Sequence, residues 1–159
     1  MSFNAHPLLA TVAGALLAAL PTQAIAAEPC EGTPGTGKAK LEIIATDLKN
    51  AEGEVAFTVY PDDRSRFLAG GGKLARVRTK TIEPLTTACF WLPVGSYAVA
   101  TYHDENADHD FNRTLFSIKE GFGFSNDAPT TLGLPSLKSA RFELPASGKT
   151  IMIKTRYQR

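Results

Sequence analysis

From Leu41 onward, apolar side chains recur at every second position in short runs separated by Gly, Pro, Asn and Asp. "LEIIATDL" places Leu41, Ile43 and Ala45 on one face, the period of a half-buried strand. After a turn over Asn50 to Gly53, Val55, Phe57 and Val59 form the inward set of a second strand, which ends at Pro61 and Asp62. A Gly-rich turn leads to Ala75, Val77 and Thr79, which stand opposite Arg76, Arg78 and Lys80. "LTTACFWLP" and "GSYAVATYH" flank Pro93–Gly95 as strand, tight turn and strand. Alternation returns at Ala140, Phe142 and Leu144, and again at Ile151, Ile153 and Tyr157. No part of this region sustains a helical period. About seven short strands with such punctuation predict an all-β chain, an antiparallel two-sheet sandwich.

The first 26 residues have a different pattern. "LLATVAGALLAAL" is an apolar run too short to span a bilayer comfortably, and Ala24 and Ala26 fit an A-x-A cleavage site. The n-region has no Lys or Arg, yet the run and the cleavage site together predict a secretory signal peptide. Residues 27–40 follow as a Gly/Pro-rich lead-in, and 41–159 as a single sandwich domain with a long loop over 104–135. The expected product is periplasmic or secreted, with no transmembrane anchor. Cys30 is not a lipidation site, because Glu28 and Pro29 precede it where small residues are needed.

Cys30 and Cys89 are the only cysteines. In an oxidising compartment one disulfide is their natural pairing. Closing a loop of about 58 residues would stabilise the fold by roughly 4 kcal/mol. Trp91, two residues from Cys89, is expected to pack against that disulfide in the core. The formal charge of +1 argues against nucleic acid as a partner.

The densest chemistry lies in "YHDENADHDFN". Asp104, Asn106, Asp108, Asp110 and Asn112 occupy alternate positions, with Glu120 further on as a distant oxygen donor. Such oxygen donors suit calcium. The spacing is not that of an EF-hand, whose sixth and twelfth positions would here be His109 and Leu115 instead of Gly and Glu. His103 and His109 raise zinc, a weaker reading without a third ligand of known spacing. A loop whose Asx side chains bond their own backbone accounts for the same composition.

"LPVGSYAVATYHDENADHDFN", followed by "EGFGFSNDA", resembles the bacterial domain-of-unknown-function family 2141. The residues that carry the likeness are Pro93, Gly95, Tyr97, Ala98, Val99, His103, Asp104, Glu105, Asn106, Asp110 and Asn112, then Glu120, Gly123, Phe124, Ser125 and Asn126. Asp108 and His109 replace an Asn-Gly pair of the family pattern, and Phe116 to Ile118 replace its G-x-P. The resemblance implies an exported β-sandwich of bacteria and supplies no reaction. "LPVGSYAV" is also similar to a hairpin of transthyretin-like sandwiches, so the expected sheets are immunoglobulin- or transthyretin-like.

Function is therefore expected to be that of a non-catalytic binding or structural module, with calcium as the candidate cofactor of the loop. The alternative is a glycan-directed hydrolase using carboxylates of the same loop. Ser125 with His103 and an Asp is a nominal triad, but "GFGFSND" lacks the G-x-S-x-G turn. Arg76, Arg78 and Lys80 form an outward basic stripe suited to an envelope or polysaccharide contact. Lys and Arg on a solvated edge strand serve equally well to deter aggregation.

Overall fold

The computed structural model describes Met1 and residues 29–110, 120–130 and 134–157. The expected leader lies outside these. Eight strands run in chain order: β1 Lys38–Thr46, β2 Glu54–Pro61, β3 Ala75–Lys80, β4 Thr86–Pro93, β5 Gly95–Asp104, β6 Gly121–Phe124, β7 Phe142–Leu144 and β8 Lys149–Lys154. A 3-10 turn follows β6 at Ser125–Asp127, and one helical turn, α1, spans Leu137–Ala140. Among the described residues no helix is long and apolar enough to cross a membrane.

The strands form two sheets, one of order β4-β1-β8 and one of order β3-β2-β5-β6, with β7 on the same edge of β5 as β6. The sandwich agrees with the sequence pattern in kind and departs from it in three places. The β1–β8 pairing is parallel, whereas the other ladders are antiparallel. Within the expected loop 104–135, β6 forms a strand. Its Gly-Phe-Gly-Phe sequence carries no β-branched residue, so local propensity does not announce it; pairing with β5 creates it. The expected strand from Ser136 begins only at Phe142, because Ser136 caps α1 by accepting a hydrogen bond from the Ser139 N–H.

Between the sheets lie the alternating residues of the sequence pattern. Leu41, Ile43, Val55, Phe57, Val59, Phe90 and Ile153 are almost fully buried there. Each such side chain contributes about 1.5–3 kcal/mol relative to exposure. A second cluster covers the outer face of the five-stranded sheet, where α1 brings Ala140 and Leu137 against Ala98, Phe122 and Phe124. This sheet is thus buried on both faces, which is why Ala56, Thr58 and Tyr60 are as buried as their inward neighbours.

Cys30 and Cys89 are joined. Ala88, Phe90 and Leu92 of β4 turn into the core, so Cys89 and Trp91 face outward. The disulfide consequently ties the lead-in to the free edge of β4, where Glu31 bridges to Phe90 through backbone hydrogen bonds to Cys89 and Trp91. Trp91 is half-buried on that outer side and not in the core, because strand alternation places it with Cys89. The β4–β5 turn is locked by Tyr97, whose hydroxyl donates to the Pro93 carbonyl at 2.7 Å.

Candidate functional site

The loop leaves the sandwich at the end of β5, and its first three residues anchor it in different directions. His103 is fully buried. Its Nδ1 lies 2.7 Å from the Tyr157 hydroxyl and its Nε2 2.7 Å from the Glu52 carbonyl. Both ring nitrogens are therefore occupied in joining β5 to the β1–β2 turn and the last segment of the chain. Glu105 reaches the same turn, accepting from Asn50 Nδ2 at 3.1 Å and pairing with Lys49 Nζ at 2.8 Å. Burial raises the Glu105 pKa, but the Lys49 ammonium and Asn50 amide outweigh it and hold the carboxyl below its usual range. Gly53, at φ +59°, makes room for this crossing: a Cβ there would lie 1.9 Å from the Asp104 carbonyl oxygen.

Asp104 points into the loop and is fully buried. Its Oδ2 accepts from Arg78 Nη1 and from the His109 N–H, each at 2.9 Å, and its Oδ1 from the Asp108 N–H at 3.2 Å. The other guanidinium arm, Nη2, donates to the Tyr102 hydroxyl and to the His109 carbonyl. Arg78 so closes the loop onto β3. Glu54 Oε2 adds ion-pair approaches of 3.8 Å to Arg78 Nη1 and 3.2 Å to His109 Nε2, the latter charged when His109 is protonated. These have pairing distance without alignment, and that oxygen has no hydrogen-bond partner among the described residues. His109 stands where the family pattern has Gly and adopts φ 67°, a left-handed conformation that His tolerates better than most residues.

Asp104, Asp108 and Glu120 converge: each offers a carboxylate oxygen within 4.8 Å of the others. Asp104 and Glu120 are buried and Asp108 is exposed. The remaining candidates take other positions. Asn106 Nδ2 donates to Asp108 Oδ2 at 2.7 Å, at the rim of the group. The Asp110 N–H donates to Asp108 Oδ1 at 2.8 Å, as in an Asx turn, and the Asp110 carboxyl is not among the converging three. Glu105 faces away, toward Lys49. Asn112 lies outside the described residues. Of the six oxygen donors expected from the sequence, Asp104, Asp108 and Glu120 come together, and self-bonding Asx turns surround them.

The "GFGFSND" segment serves packing and closure. Phe122 and Phe124 enter the outer cluster. Gly121 and Gly123 face the other way, where the two sheets meet at the end of β8. A Cβ on Gly121 would lie 2.3 Å from the Tyr157 ring, and one on Gly123 would lie 2.6 Å from Ile153 Cγ2 and from the Lys154 carbonyl oxygen. Ser125 is fully buried; its Oγ accepts from the Val99 N–H at 2.9 Å and donates to the Ala140 carbonyl. Asn126, at φ 59°, donates through Nδ2 to the Ser139 and Arg141 carbonyls at 3.2 and 2.8 Å. Ser125 and Asn126 together hold α1 to the sheet. Ser125 and His103 bond to separate groups and not to each other, so the nominal triad is not assembled.

The residue that sequence reasoning assigned elsewhere is Arg78. Alternation placed it in a solvent-facing stripe with Arg76 and Lys80, but its side chain is 17% exposed and bonded to Asp104. The signal for it is indirect: a buried carboxylate at the end of a strand needs a cation from a neighbouring strand. Lys154 and Arg156, also basic and two apart, lie on β8 at the edge of the other sheet and just after it, away from β3 in the strand order. No curated protein and no solved structure matches the chain. Residues 43–152, which run from within β1 to within β8 and include the carboxylate group, match a family described as an uncharacterized protein conserved in bacteria, domain of unknown function 2141, and the chain belongs to that family.

Proposed function

We propose that this protein is an exported β-sandwich binding module, and that a calcium ion held by Asp104, Asp108 and Glu120 organises its functional surface, the loop leaving β5. The observation that carries this reading is the convergence of three carboxylates from β5, the loop and the residue preceding β6. Such hard oxygen donors suit calcium, with backbone carbonyls and water completing its shell. Ionised carboxylates this close repel one another, and Arg78 offsets part of that repulsion at Asp104. A divalent cation converts that repulsion into attraction. Export is supported by the Cys30–Cys89 bond, which suits an oxidising compartment. The burial of Asp104 and Glu120 favours coordination over attack on a polymeric glycan.

Calorimetric titration of the purified protein with calcium, paired with thermal melts with and without chelator, tests the proposal. Binding heat and a raised Tm are expected for the wild type and are expected to vanish in Asp108→Asn and Glu120→Gln. The absence of both binding heat and a Tm shift with calcium would refute it.

A further inference from the structure

We propose that the outer face of the five-stranded sheet binds a small organic carboxylate with an apolar body, and that Arg76 is its anion clamp. The site follows from the register. Arg76 of β3, Thr58 of β2, Ala100 of β5 and Phe124 of β6 form one cross-strand row. Small side chains at Thr58 and Ala100 leave a trough in the middle of that row. The result is a groove of about 350 Å³, to which Tyr60, Leu68 and Phe124 contribute apolar lining. Its volume falls within the range of roughly 300–1,000 Å³ typical of small-molecule sites.

Arg76 makes the groove selective. Its Nε donates to Thr58 Oγ1 at 2.8 Å, and its guanidinium stands 5.7 Å from the centre of the Tyr102 ring. The side chain is thus oriented before any ligand arrives. Thr58 takes Nε and the Tyr60 hydroxyl also bonds the guanidinium, so Arg76 presents a positioned planar fork whose remaining Nη protons can receive a carboxylate. An apolar lining with one oriented cation is complementary to a carboxylate on a ring or short chain. It does not suit a metal ion or a polyanion, which would need more cations. This site is separate from the carboxylate cluster and does not depend on calcium.

Amide-resolved NMR titrations in the presence of chelator, with benzoate and octanoate as probes and benzyl alcohol as the uncharged control, test it. At least one carboxylate should give saturable shifts centred on Thr58, Arg76, Ala100 and Phe124. Arg76→Gln should weaken that binding about tenfold or more, the scale of a lost charge-assisted hydrogen bond, and leave benzyl alcohol unchanged. Arg76→Lys, which keeps the charge and loses the fork, should also weaken it and guards against a folding defect in the first variant. Shifts confined to other surfaces, no saturable shifts, or undiminished carboxylate affinity in folded Arg76→Gln would overturn the proposal.

Discussion

Arg78 Nη1 lies 2.9 Å from Asp104 Oδ2, and the carboxylate it meets is completely buried. This pair ties the edge strand β3 to the residue where β5 becomes loop. Removing one partner of a buried pair leaves the other charge without compensation, at a cost of about 3–5 kcal/mol. Arg78→Met is therefore expected to lower stability by that order in urea denaturation. The same change with Asp104→Asn should recover part of the loss. A double variant no more stable than Arg78→Met would contradict this coupling.

The two glycines of β6 should differ in their tolerance of a methyl group. At Gly123 the obstacle includes the Lys154 backbone carbonyl, which cannot rotate away, whereas at Gly121 it consists of the Tyr157 and Thr155 side chains. Overpacking costs about 1–3 kcal/mol when the surroundings can shift. Gly121→Ala is expected within that range and Gly123→Ala above it. Comparison of their denaturation midpoints checks the order.

Glu105 gives a signed pH effect. Its folded pKa lies below the ordinary carboxylate value, after burial is outweighed by Lys49 and Asn50. The folded state thus binds the proton less readily than the unfolded chain does. The resulting stabilisation is fully present above the unfolded pKa, near 4.5, and is lost as pH falls through the lower folded one. Thermal melts between neutral and acidic pH should show a smaller acid-side fall for Glu105→Gln than for the wild type. Equal slopes for both proteins would refute the assignment.

The disulfide closes a loop with a sequence separation of 59. Replacing Cys30 and Cys89 together by Ser should cost about 4 kcal/mol, mainly by freeing the unfolded chain. Because the bond lies outside the main core, the variant should keep wild-type far-UV circular dichroism at low temperature. Loss of β signal there would show that the strap is needed to form the smaller sheet.

The sequence by itself determined the alternation of core and surface in β1, β2, β4 and β5, since side-chain period and strand geometry are the same physical fact. It also determined the cysteine pair, with no third thiol to compete. The "HDEN" and "GFSN" segments identified the family, and the spacing around Asp104 excluded an EF-hand. Only the tertiary structure decided where the charges go. Arg78 shares its alternation with Arg76 and Lys80, and nothing local separates them; the burial of Asp104 two strands away draws that one side chain inward. Likewise β6 has little propensity to be a strand, and the open edge of β5 makes it one. Its glycines read as turn residues until the closing sheets give them a surface to fit. Glu120 joins Asp104 and Asp108 by the same route, because β6 returns antiparallel to β5 and carries it back beside them. Local pattern reports the period of a segment, whereas register and burial depend on partners distant in the chain.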